Sequence, residues 1–167
     1  NDILAEQDST LYRWPDRLGD ALRVYVEPTS PLASWSAQYP QFARGVFDEW
    51  REAGFPLRFT FVLDSVGADI SIRWIDRFPD EDGQRIGVTE RVQGSDYLIA
   101  RARVDIAMRD SAGRPLAPIV VGGIIRHEVG HALGLNHSSD PSSVMYKEAA
   151  TSVIGAWARS ASARTRS

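Results

Sequence analysis

The sequence predicts an α/β domain (α+β in some schemes) on a twisted five-stranded sheet, mostly parallel with one antiparallel edge strand. Three observations carry this. The chain opens in the order strand, helix, strand, strand, a pattern that lays helices on a parallel sheet. Two later strand-like runs are separated only by a short turn at Gly94-Ser95, so they pair antiparallel. A helical stretch then begins near Ile119, which makes two long helices, and a C-terminal helix is expected from about Ala149 to Ala158.

The elements follow in order. Trp14-Pro15 reads as a lead-in loop. Leu22, Val24 and Val26 alternate with Arg23 and Tyr25, and Pro28 ends the run, which predicts a strand with one apolar face. From Ser34 to Ala53, the residues Trp35, Tyr39, Phe42, Val46 and Trp50 recur at spacings of three and four, which predicts an amphipathic helix with Gly54 as its stop. Leu57 to Leu63 and Ala68 to Ile75 read as strands, the latter with Ile70, Ile72 and Trp74 on one face. Arg77 to Gly87 is a polar loop and Gln84 to Val92 a short edge strand. In the run from Tyr97 to Met108, Ile99, Arg101, Arg103 and Asp105 alternate with Leu98, Ala100, Ala102, Val104 and Ile106, which predicts a further strand. After a loop from Asp110 to Pro118, a helix runs from about Ile119 to Gly134. Residues 1–159 are read as one domain, and the Ser/Arg/Ala-rich residues 160–167 as a disordered tail.

Composition narrows the function. The 167 residues are 43% hydrophobic and 25% charged, ordinary for a globular domain. A net charge of −3 gives no basic excess to favour nucleic acid as a partner. The absence of cysteine excludes disulfides, thiolate metal sites and a cysteine nucleophile. No apolar run approaches the ~18 residues of a membrane span. The chain opens Asn1-Asp2-Ile3 without an initiator Met or a basic leader, and reads as a trimmed, monomeric piece of a longer precursor.

The segment from His127 to His137 carries the chemistry, as HExxHxxGxxH. Residues four apart share a helix face, so His127 and His131 can reach one metal ion. Glu128 lies about 100° around the helix from His127 and so stands beside the metal instead of on it. Gly134 suits a left-handed helix stop, after which the chain can turn and return His137 as a third ligand. Three imidazoles leave one tetrahedral position for water, the pattern of a catalytic zinc, with Glu128 as the base that takes the water's proton. The chain has three histidines, and all lie in this motif.

From His127 to Tyr146 the sequence resembles the metzincin clan and, within it, the matrixin-like metallopeptidases. Ser138, Asp140-Pro141 and Ser143-Val144-Met145-Tyr146 follow the third histidine in the matrixin pattern. The resemblance implies a zincin-like fold and a zinc endopeptidase, secreted or in the cell envelope, acting on an extended protein or peptide substrate. It implies that Met145 is the Met-turn residue beneath the ligands. It also places Gly87, Val88 and Thr89 on the strand that borders the cleft, where an edge can pair with substrate, and Tyr146 in the pocket wall. Two features depart from the family: Lys147 replaces a usual Pro, and no histidines remain for a second, structural zinc, so one zinc is expected. The family's cysteine-switch propeptide is not seen, so any latency works differently or lies outside this chain.

Weaker signals remain. Asp76, Asp80 and Asp82, with Glu81, are candidate calcium ligands, although a solvated acidic loop is the plainer reading. Asp110 near Gly113 invites the same thought. Gly123 precedes His127 by four residues and is expected to keep the pocket beside the zinc roomy, with helix-on-sheet packing as the alternative. Two rival functions stay open: a zinc-bearing binding module without turnover, and a zinc amidase acting on a non-peptide bond.

Overall fold

The computed structural model describes residues 13–15, 20–79, 85–94 and 98–147. The elements are β1 (Leu22–Val26), α1 (Tyr39–Glu52), β2 (Phe59–Val62), β3 (Ile70–Ile75), β4 (Gly87–Gln93), β5 (Ile99–Ala107) and α2 (Pro118–Ala132). They form one five-stranded sheet in the order β2-β1-β3-β5-β4. Every neighbouring pair is parallel except β4 with β5, which is the expected antiparallel edge hairpin. The expected C-terminal helix and the tail lie outside the described residues.

Period-two alternation puts Leu22, Val24, Val26, Ile70, Ile72 and Trp74 on the inner face, all buried. α1 closes over it with Ala43, Val46 and Phe47, and α2 with Val121, Ile125 and Val129. Phe47 meets Phe59 edge-on, with ring centroids 5.0 Å apart. α2 is buried on most of its circumference because it lies against both β4–β5 and α1. Gly122 permits the approach of the two helices, since a Cβ there would stand 3.0 Å from Phe42 Cζ.

Two local expectations are corrected. α1 begins at Tyr39 and not at Ser34, because Pro40 sits in its first turn, where a missing N–H costs nothing; Trp35 lies in the turn before it. In β5 the alternation slips: Val92 pairs with Arg101 but Gln93 pairs with Ile99, which leaves Ala100 as an unpaired extra residue. The bulge turns Ile99 into the core, fully buried, and Ala100 outward, the reverse of the simple alternation. Trp14 lies in the lead-in loop, as expected, and is buried there: its indole N–H donates to Ala132 O at 2.9 Å, at the carbonyl end of α2.

Gly54 ends α1 as expected, at φ +105°. Gly54 N–H donates to Arg51 O and Phe55 N–H to Trp50 O, the paired bonds of a Schellman stop. Among the described residues, no helix is long and apolar enough to cross a membrane.

Candidate metal centre

α2 presents His127 and His131 on one face, and a second Schellman stop redirects the chain toward His137. Gly134 has φ +108°. Its N–H donates to His131 O, and Leu135 N–H donates to Gly130 O, each at 3.0 Å. Three residues later His137 stands across from His131.

The three rings converge through Nε2. His131 Nε2 lies 3.2 Å from His127 Nε2 and 3.2 Å from His137 Nε2. Tetrahedral zinc with Zn–N of about 2.0–2.1 Å calls for N···N separations of about 3.3–3.4 Å, so the cluster has the right size. The far side of two of the rings settles their tautomer. His127 Nδ1 is 2.7 Å from Val144 O, and His131 Nδ1 is 2.8 Å from Leu135 O. A carbonyl only accepts, so each Nδ1 carries the hydrogen and each Nε2 presents a lone pair. Two lone pairs facing each other at 3.2 Å repel unless a cation lies between them, and the donor set fits zinc.

Burial agrees with neutral rings. The imidazole of His131 is pulled from 6.5 to about 4, first by burial and then by the charges of His127, His137 and Arg91, against the hydrogen bond to Leu135. His137 is shifted the same way by burial, His127 and Lys147. Lys147, the departure from the family pattern, thus discourages a proton on the third ligand. A pH dependence follows for the metal-free protein. Unfolded His131 binds a proton below about 6.5 and the folded form only near 4, so between these values the unfolded chain holds more protons. Stability is therefore lost as pH falls through this window. Glu128 shifts with the opposite sign, but it is common to wild type and His131→Ala. Melting both chelated proteins from pH 7 to 4 should show the steeper fall in wild type, and parallel curves would contradict the assignment.

Glu128 is buried beside the cluster, and desolvation raises its carboxyl above the usual range. The Thr89 hydrogen bond and then the charges of His127 and Arg85 pull it partly back. Thr89 Oγ1 lies 2.6 Å from Glu128 Oε2 and 2.9 Å from Glu128 O. Gly87 makes room for the same side chain: a Cβ there would stand 2.8 Å from Glu128 Cγ, 3.0 Å from Glu128 Oε1 and 2.6 Å from Ile124 Cγ2.

Met145 is buried against Gly130, where a Cβ would collide with its Sδ and stand 3.0 Å from Trp50. Gly130 was not singled out from the sequence. Its only signal was a helix-disfavoured residue between two ligands. Ser138 N–H donates to Met145 O at 2.8 Å, and Ser138 bridges to half-buried Tyr146, so the turn is tied to the residue after the third ligand. Arg91 on β4 reaches Asn136 Oδ1 at 3.3 Å and steadies the stretch between Gly134 and His137.

The edge strand shows which main-chain groups are open. Ala107 N–H donates to Ile86 O, so the pair Ile86–Ala107 is hydrogen-bonded, and alternation makes Val88–Asp105 and Glu90–Arg103 the next such pairs. The main-chain groups of Gly87, Thr89 and Arg91 therefore face away from β5, while those of Val88 are used within the hairpin. Gly123 faces open space, with nothing within 4 Å of a Cβ placed on it.

The calcium expectation finds no support. Both carboxylate oxygens of Asp76 accept from the Arg109 guanidinium, through Nε and Nη2, which leaves a cation a partner already neutralised. Asp80, Glu81 and Asp82 lie outside the described residues. Asp110 is likewise held by Arg114, at 2.9 Å from both its N–H and its Nε. Arg126 joins the helices instead of touching the centre: it pairs with Glu49 at 2.8 and 3.2 Å and lies over Phe42.

The family model described as Matrixin matches residues 19–153, well over half of the chain. No curated protein matches it. The matched span contains the whole sheet, both helices, the three imidazoles and the Met145 turn. This chain belongs to the matrixin family of zinc metallopeptidases.

Proposed function

We propose that the protein is a zinc endopeptidase that cleaves an extended stretch of a protein substrate, with Glu128 as general base, outside the cytoplasm or in the cell envelope. The observation that carries this is the buried Glu128 carboxylate, adjacent to three convergent imidazoles and held by the strand whose free edge borders the centre. His127, His131 and His137 would hold zinc, which when bound would supply Lewis acidity to a water and to the scissile carbonyl. Glu128 accepts the water's proton and delivers it to the leaving amine. The outward main-chain groups of Gly87 and Thr89 would pair with the substrate backbone, with Val88 contributing its side chain. Met145 would form the apolar floor and Tyr146 a pocket wall. The open space at Gly123 supports a roomy subsite on the primed side, next to the scissile bond.

A library of peptides blocked at both ends tests the reading and the subsite together. Internal cuts with bulky residues accepted directly after the cleaved bond are expected. Trimming confined to unblocked ends would refute an endopeptidase, and cleavage only before Gly or Ala would refute the roomy subsite. Zinc-loaded protein that cuts no peptide would favour the binding module or a non-peptide amidase.

A further inference from the structure

We propose that Thr89 is the positioning residue for the base: its hydroxyl locks the Glu128 carboxylate in place and links it to the strand on which substrate docks. The inference rests on the reading of Glu128 as general base and adds a residue that the ligand motif does not contain. Three features point to it. The contact to Oε2 is 2.6 Å, in the range of a hydroxyl donating to a carboxylate, where such bonds are strongest. Thr89 Oγ1 is also 2.9 Å from Glu128 O, so its one hydrogen can be given to either the side chain or the main chain of a residue 39 positions away in sequence. Gly87, two residues earlier on the same face of β4, leaves the space that the Glu128 side chain fills, so the strand cradles the carboxylate from two positions.

The chemistry explains why a hydroxyl suits this place. Thr has one donor hydrogen and two lone pairs. When Glu128 is ionised, the hydroxyl donates to Oε2. When Glu128 holds the proton taken from water, its O–H can donate to Oγ1, and the Thr hydrogen turns to Glu128 O. The carboxyl is thus held on both sides of the proton transfer, and neither arrangement leaves a buried donor unmatched. The main-chain groups of Thr89 face the open edge. One residue therefore joins the proposed docking edge to the base, so the distance between the two is set by a single side chain.

The test compares wild type, Thr89→Val, Thr89→Ser, Glu128→Gln and the double variant Glu128→Gln/Thr89→Val, all zinc-loaded. It uses one quenched-fluorescent peptide chosen from the wild-type cleavage profile. Val is near-isosteric but cannot donate or accept. Since small misplacements of a reacting group cost up to about 100-fold, kcat of Thr89→Val should fall about 10- to 100-fold with KM within about 2-fold. Thr89→Ser should recover most of the rate. Zinc content should stay at one per chain, and the peptide's Kd, measured calorimetrically on the inactive Glu128→Gln background, should not change on adding Thr89→Val. In that background the second substitution should cost no further kcat, because the groups act as a unit.

Several results would overturn the assignment: kcat unchanged in Thr89→Val, a rise in KM alone, no recovery by Ser, or loss of zinc with the hydroxyl. If Glu128→Gln cleaves as wild type does, the general-base reading fails and this inference with it. If Glu128→Gln is dead while Thr89→Val is fully active, only this inference fails.

Discussion

Glu128→Gln is expected to bind one zinc and to lose about 10²- to 10⁴-fold in kcat, the range for removal of a general base. The amide keeps the size of the carboxylate and its place against Gly87 and Thr89, so packing changes little. What it loses is the capacity to take a proton. In the metal-free protein, burial raises the affinity of the Glu128 carboxyl for a proton. Zinc should be unaffected because the cluster that can hold a metal is composed of His127, His131 and His137. Metal analysis and peptide kinetics on the same samples check both halves. Equal cleavage by the variant and wild type would refute the role of Glu128. Zinc-loaded wild type that never cleaves would instead turn attention to the binding module.

Replacing His131 by Ala should remove the metal itself. Its Nε2 is 3.2 Å from each of the other two, so it is the shared neighbour of the ligand set. The two remaining imidazoles have no other ligand partner in the cluster, and zinc affinity should fall by several orders of magnitude. After dialysis against metal-free buffer, wild type should retain about one zinc per chain and the variant almost none, with no measurable cleavage. The melting temperature gives an independent readout. Zinc binds the folded form, so chelation should lower that of wild type and leave that of His131→Ala nearly unchanged. Stoichiometric zinc in the dialysed variant would mean that the convergent rings are not the site.

The parts of the centre that were legible in the sequence are those made by short-range geometry. His127 and His131 meet because they are four apart on a helix. His137 returns because Gly134 can take φ +108°, and the stop bonds span only three to five residues. Alternation placed β1, β3 and β5, and spacings of three and four placed α1, because each of these elements buries one face and leaves that period in the chain. The same logic failed at Ala100, where a bulge interrupts the period, and at Trp35, where Pro40 moves the helix start.

Long-range pairings left no such trace. The carbonyls of Val144 and Leu135 orient two ligands, but every residue has a carbonyl, so no residue type signals that role. Trp14 is 118 residues from the helix end it satisfies. Asp76 read as a solvated acid or, less plainly, a calcium ligand, and folding brought Arg109, 33 residues away, onto both of its oxygens. Gly87 and Thr89 were placed on the cleft strand, while their contacts with Glu128 emerged only when β4 came to rest against α2. The ligands of this protein are thus written into one helix and its stop, where local backbone geometry decides. The groups that orient the imidazoles and hold Glu128 come from distant segments, and only packing of the sheet edge and the Met145 turn against that helix brings them to it.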